Sequence, residues 1–148
     1  MYFQRLKNLR EDNELKQEEI VSRLKCKRST YANWENGTII VPLDIADELS
    51  IIYNVSLSYV LGLSNNRNIN YKQKRIDYKF LRARLLSLKN ENKHTYEIIA
   101  DYIKTARSTC YRYFNGILLI PTDKLILLCE LYNVDIDELS GKRIIIKF

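Results

Sequence analysis

The chain has 148 residues, 46% of them hydrophobic and 28% charged, with a net charge of +6. At about 150 residues per domain this length allows one ordinary domain or two small ones, and the composition excludes a chain disordered over most of its length. No apolar run approaches the roughly 20 residues of a membrane span, and the opening Met1-Tyr2-Phe3-Gln4-Arg5-Leu6-Lys7 has neither the apolar core nor the cleavage site of a secretory leader. The expectation is a cytoplasmic protein without a membrane partner.

Four glycines and two prolines are few for this length, which argues against a β-sandwich or barrel and for helices. In chain order, Leu6 and Leu9 stand three apart among charged residues and mark one face of an amphipathic helix. Asp12-Asn13-Glu14 breaks it. Ile20 and Leu24, four apart, mark the next helix, and Lys25-Cys26-Lys27 is a three-residue turn. Arg28 to Glu35 forms a third helix, stopped at Asn36-Gly37, where glycine supplies the left-handed residue. Pro42 starts a fourth, with Asp44 in its first turn, running to about Tyr53. Asn54 takes the left-handed stop, and Ser56 caps a last short helix that ends near Gly62.

The pattern then repeats. A shift of 79 residues lays 5–62 on 84–141 without a gap. Arg28-Ser29-Thr30 falls on Arg107-Ser108-Thr109, Asn36-Gly37 on Asn115-Gly116, Pro42 on Pro121, and Tyr53-Asn54-Val55 on Tyr132-Asn133-Val134. Two copies of one small domain account for this register. In the second copy Thr95 is the expected N-cap of the second helix, Arg107 to Phe114 the third helix, and Asp135 the last N-cap. The expected fold is all-α, with two tandem five-helix domains at residues 1–66 and 80–148. Residues 67–79 form a basic linker, with a helical extension into copy two from about Tyr71. The tail Lys142-Arg143-Ile144-Ile145-Ile146-Lys147-Phe148 has a β-branched run suited to an interaction strand.

Charge is uneven. Residues 1–62 carry 8 basic and 9 acidic groups, residues 63–79 carry 5 and 1, and residues 80–148 carry 11 and 8. The basic excess suits a polyanionic partner. The three cysteines, Cys26, Cys110 and Cys129, have no zinc or disulfide spacing and are expected as reduced core thiols. A single histidine, His94, and the lack of a Gly-rich phosphate loop or nucleophile elbow give no catalytic, metal or cofactor site. An enzyme is not expected.

The segment Gln17-Glu18-Glu19-Ile20 through Leu24-Lys25-Cys26-Lys27-Arg28-Ser29-Thr30-Tyr31 to Trp34-Glu35-Asn36-Gly37 resembles the helix-turn-helix core of the phage-repressor (Cro/CI, XRE-type) family. Ser56 to Gly62 is similar to that family's last short helix, and residues 84–141 resemble it more loosely. The resemblance implies a lambda-repressor-like fold whose third helix enters the major groove of double-stranded DNA. It implies base contacts from Gln17, Arg28, Ser29 and Asn33, and from Arg107, Ser108 and Arg112. Phosphate contacts are implied for Lys16, Lys25, Lys27 and Asn36, and for Tyr96, Lys104 and Asn115. A guanidinium at Arg28 can bond a guanine edge bidentately, for about 1–3 kcal/mol of discrimination. Copy two departs from the family at Tyr96, in place of glutamine, and at Phe114, in place of an acidic residue. The expected function is a sequence-specific transcriptional regulator acting as a repressor at the nucleoid, two units on one chain occupying two half-sites. The alternative is a bifunctional protein whose second copy, or its tail, binds a partner protein or a second chain. Richness in Lys, Asn, Ile and Tyr points to an AT-rich bacterial or phage genome.

Overall fold

The computed structural model describes residues 2–144, which hold ten α-helices and no strand. The expected tail strand at Ile145 and Ile146 lies outside these residues. The chain divides into two compact units, residues 1–75 and 76–148. Unit 1 contains α1 (Tyr2–Asp12), α2 (Gln17–Leu24), α3 (Arg28–Glu35), α4 (Leu43–Tyr53) and α5 (Leu57–Val60). Unit 2 repeats the order with α6 (Tyr78–Glu91), α7 (Tyr96–Ile103), α8 (Arg107–Phe114), α9 (Thr122–Tyr132) and α10 (Ile136–Leu139). The all-α, tandem five-helix expectation holds.

Local chemistry sets the helix ends. The Ser56 hydroxyl accepts from the Tyr59 N–H, and the Thr95 hydroxyl accepts from the Ile98 N–H, each satisfying a donor the first turn leaves open. Asp135 also holds an N-cap position, but its side chain makes no cap bond and pairs instead with Arg143 at 2.7 Å. Left-handed residues close the helices: Lys25 and Lys104 after the second helix of each unit, Asn54 and Asn133 after the fourth. Gly116 ends α8 at φ +72°, where an added Cβ would lie 2.7 Å from the Arg82 Nε.

Each unit has its own core. Leu6, Leu9, Ile20, Tyr31, Leu49, Leu57 and Val60 are fully enclosed in unit 1, with Trp34 set edge-on to Tyr31 at 6.0 Å. Leu81, Leu85, Ile99, Ile103, Leu125, Leu128 and Ile136 fill unit 2. Fully buried Cys110 stands where unit 1 has Tyr31, and Phe114 where unit 1 has Glu35. The exchange removes a phenol and a carboxylate and leaves an apolar pair. Burial pushes the Cys110 thiol up to about 11 and Cys129 to about 12, so both stay protonated. His94 Nδ1 lies 2.9 Å from the Tyr132 hydroxyl, and the two rings pack at 5.5 Å.

The stretch between Val60 and Tyr78 differs from expectation. It forms no helix from Tyr71 onward. It also does not hang free of unit 1. Arg5 donates to the Tyr59 and Ser64 carbonyls at 2.9 and 3.0 Å and stacks on the Tyr59 ring at 3.8 Å. Arg67 pairs with Asp12 at 2.8 Å, and Arg75 pairs with Glu48. The Gln73 amide donates to the Ser50 and Val55 carbonyls, both at 3.1 Å. The segment uses its polar side chains to satisfy carbonyls at the end of α4, and a helix would have turned those side chains elsewhere.

Candidate nucleic-acid interface

In unit 1, α2 and α3 are joined by the turn Lys25–Lys27, which the left-handed Lys25 (φ 56°) makes tight. Tyr31 and Trp34 anchor the inner side of α3, leaving Arg28 and Ser29 exposed, Ala32 and Asn33 half-buried and Asn36 exposed on the other side. These positions recur at i, i+1, i+4, i+5 and i+8, one strip of a helix.

A chain of polar contacts runs from the interior to this strip. The guanidinium of Arg10 on α1 grips Glu35 through two nitrogens, at 2.5 and 3.2 Å, and donates to the Leu15 carbonyl at 2.9 Å. Gln17 donates to the second oxygen of Glu35 at 2.9 Å. The Gln17 carbonyl oxygen accepts from Arg28 at 3.4 Å, and Arg28 also pairs with Glu18 at 2.9 Å. Burial alone would raise the Glu35 carboxyl; the bonds from Arg10 and Gln17 outweigh it and hold the carboxyl below its ordinary value. Gln17 therefore spans α2 and α3 and steadies Arg28, with one amide hydrogen left to donate outward.

Unit 2 builds the same junction from other chemistry. Tyr96 stands at the Gln17 position, Phe114 at that of Glu35 and Lys89 at that of Arg10. The Tyr96 ring meets Phe114 edge-on at 5.8 Å and Tyr111 edge-on at 5.3 Å, and the Lys89 ammonium sits 4.5 Å from its centroid. Its hydroxyl accepts from the Asn115 amide at 3.2 Å. An aromatic and cation–π cluster thus replaces a buried ion pair. This accounts for both departures from the family pattern at once, because Tyr96 and Phe114 are partners.

The remaining predicted residues can be placed one by one. Arg107, Ser108 and Arg112 are exposed on the outer side of α8. Lys16, Lys25, Lys27 and Lys104 are exposed around the turns. The Asn36 side-chain Oδ1 accepts from the Thr38 N–H at 2.9 Å, and the Asn115 side-chain amide also donates to the Tyr111 carbonyl at 2.8 Å. Asn36 thus helps to close its own turn through its oxygen, whereas both amide hydrogens of Asn115 are already donated. Sequence reasoning passed over Glu35, Ala32 and Tyr111. The 79-residue register carried the signal for Tyr111, which shares the outward spacing of Arg107, Ser108 and Arg112.

A helix-turn-helix domain model matches residues 3–74, and a second helix-turn-helix model matches residues 85–139. A protein described as an uncharacterized HTH-type transcriptional regulator, YobD of Bacillus subtilis (strain 168), is 32% identical over 76 residues, covering 51% of this chain and 68% of that protein. No solved structure matches. The chain belongs to the helix-turn-helix family of DNA-binding transcriptional regulators, XRE type, and carries the domain twice. No helix among the described residues is long and apolar enough to cross a membrane.

Proposed function

We propose that the protein is a sequence-specific repressor that reads the major groove with α3 and α8 in two non-identical half-sites of one operator. The observation that carries this reading is Arg28, exposed at the head of α3 with the Gln17 side-chain oxygen at 3.4 Å from its Nε. Arg107 holds the matching position at the head of α8 and is exposed too. A braced guanidinium at the start of a helix suits the O6/N7 edge of guanine. Asn33 favours adenine and Arg112 favours guanine, so the half-sites differ. Lys16, Lys25, Lys27 and Lys104 supply phosphate contacts around the turns, together with Asn36 and the Tyr96 hydroxyl, and Asn115 joins them by turning its amide away from Tyr96. Joining two units in one chain raises the local concentration of the second once the first is bound. Occupancy of a site that overlaps a promoter then blocks polymerase.

The test is selection of oligonucleotides by the full chain at several salt concentrations, followed by transcription from a promoter bearing the selected site. An enriched bipartite sequence, binding that falls steeply with salt, and reduced transcript support the reading. A flat salt response or no enriched sequence refutes it.

A second reading has its own observation. On α7, Ile98 and Tyr102 are exposed where α2 has Glu19 and Arg23, and Ile117, Leu118 and Leu119 are exposed in the loop after α8. Such apolar exposure suits a protein partner or a second chain. The doubly substituted full chain Arg107→Ala/Arg112→Ala separates the two. It loses half of the selected site under the first reading and binds DNA as the parent does under the second.

A further inference from the structure

The outer strip of α8 contains a residue to which the family pattern gives no role. Tyr111 lies between Ser108 and Arg112, four residues after Arg107, on the side of the helix that carries all three. It is 48% exposed although it is aromatic and sits on a helix whose inner side is fully packed. Its ring is nevertheless backed from one side. One edge meets Tyr96 at 5.3 Å with the planes 76° apart. Tyr96 is itself held by Phe114, by the Lys89 ammonium and by the Asn115 amide. A ring backed by a fixed ring on one side and open on the other makes a rigid apolar edge, and the ordering cost of presenting it has been met in the free protein.

Unit 1 provides an internal comparison. The same position there is Ala32, half-buried beside Gln17, which cannot stack. The aromatic at 111 and its support at 96 therefore occur together in one copy and are absent together in the other. An alanine reaches no further than its Cβ, whereas a tyrosine ring extends several ångströms beyond it.

We propose that Tyr111 reads the 5-methyl group of a thymine in the unit 2 half-site, through the exposed edge of its ring. The major-groove edge of a thymine is the one place where a base offers an apolar group, and an apolar side chain discriminates there without a hydrogen bond. The phenol hydroxyl both donates and accepts, so it adds affinity with little choice among bases. The half-sites then differ at two positions rather than one, through Ala32 against Tyr111 as well as Asn33 against Arg112. This inference rests on the reading that α8 enters DNA.

The experiment uses the full chain and its selected oligonucleotide, replacing each thymine of the unit 2 half-site in turn with deoxyuridine, which removes only the methyl group. The parent protein is expected to lose about fourfold in affinity at one thymine, the worth of one buried methyl-sized group. Tyr111→Ala is expected to be indifferent to that replacement, while Tyr111→Phe keeps the sensitivity. Because Tyr111→Phe retains the ring and its packing on Tyr96, it serves as the folding control, checked by circular dichroism. If no thymine responds in the parent, or Tyr111→Ala responds as the parent does, the role of Tyr111 is overturned. The wider reading still stands in that case if Arg107→Ala abolishes selection of the unit 2 half-site. If Arg107→Ala leaves that selection untouched as well, α8 does not read DNA and both proposals fall.

Discussion

Glu18 sets the resting position of Arg28. The pair is exposed on both sides, so the contact contributes at most about 1 kcal/mol to folding. Its effect on binding is larger in kind, because the arginine must leave Glu18 to reach a base, and the carboxylate then faces the phosphates. Glu18→Gln is therefore expected to tighten DNA binding roughly two- to fivefold at low salt, a gain that shrinks as salt screens it. Titrations at two ionic strengths check this. Arg28→Ala should cost about 1–3 kcal/mol on the preferred sequence and relax the choice at one base pair. Lys27→Ala should weaken all sequences alike and lower the slope of log K against log salt by about 1. Equal losses from the two variants across a sequence panel would contradict the division of labour between base and backbone contacts.

At the scale of elements, the two ways of fastening the helix-turn-helix predict different fragilities. Glu35→Ala leaves the Arg10 guanidinium, side chain 11% exposed, without its partner, and the cost is expected to be about 3–5 kcal/mol. The single tryptophan of the chain, Trp34, lies in α3 of unit 1, so its fluorescence in a urea melt reports that loss. The same bond gives unit 1 an acid sensitivity. The folded Glu35 carboxyl titrates below its ordinary value of 4.5, so protons bind preferentially to the unfolded chain. The stabilisation is complete above the unfolded value and is lost as pH falls through the folded one. Trp34-monitored stability should therefore drop more steeply with acid in the parent than in Glu35→Gln.

Most helix spans, the helix ends at Ser56, Thr95 and Asn54 and the outward strip of α3 were legible in the sequence because each depends on residues a few positions apart, whereas the Asp77 cap of α6 and the diversion of Asp135 to Arg143 were not. The junctions were not legible. Arg10 finds Glu35 at 25 residues' distance, and Gln73 finds the Val55 carbonyl 18 residues back, and no local pattern encodes either bond. The helix expected from Tyr71 failed for the same reason, since long-range bonds from Gln73 and Arg75 outweighed local helix preference.

At the scale of the whole molecule, the segment after α5 changes the electrostatics. Residues 1–62 alone sum to −1, but residues 63–75 add four cations, and with them each compact unit carries +3. The basic excess is shared by the two halves rather than concentrated in a connector. If both units engage DNA, the full chain should show a salt slope steeper by about 0.9 for each phosphate contact that unit 2 makes. Lys104→Ala in the full chain should lower that slope by about 1. An unchanged slope in that variant would place Lys104 outside the phosphate contacts.

The exchange of Arg10, Glu35 and Gln17 for Lys89, Phe114 and Tyr96 also bears on how the duplicated gene can change. Each trio works only as a set: phenylalanine opposite Arg10 strands a cation, and glutamate beside Tyr96 buries an anion with no guanidinium to meet it. Copying from one half of the gene into the other in tracts too short to span all three positions would therefore yield poorly folded hybrids, and selection against those hybrids helps keep the two halves different.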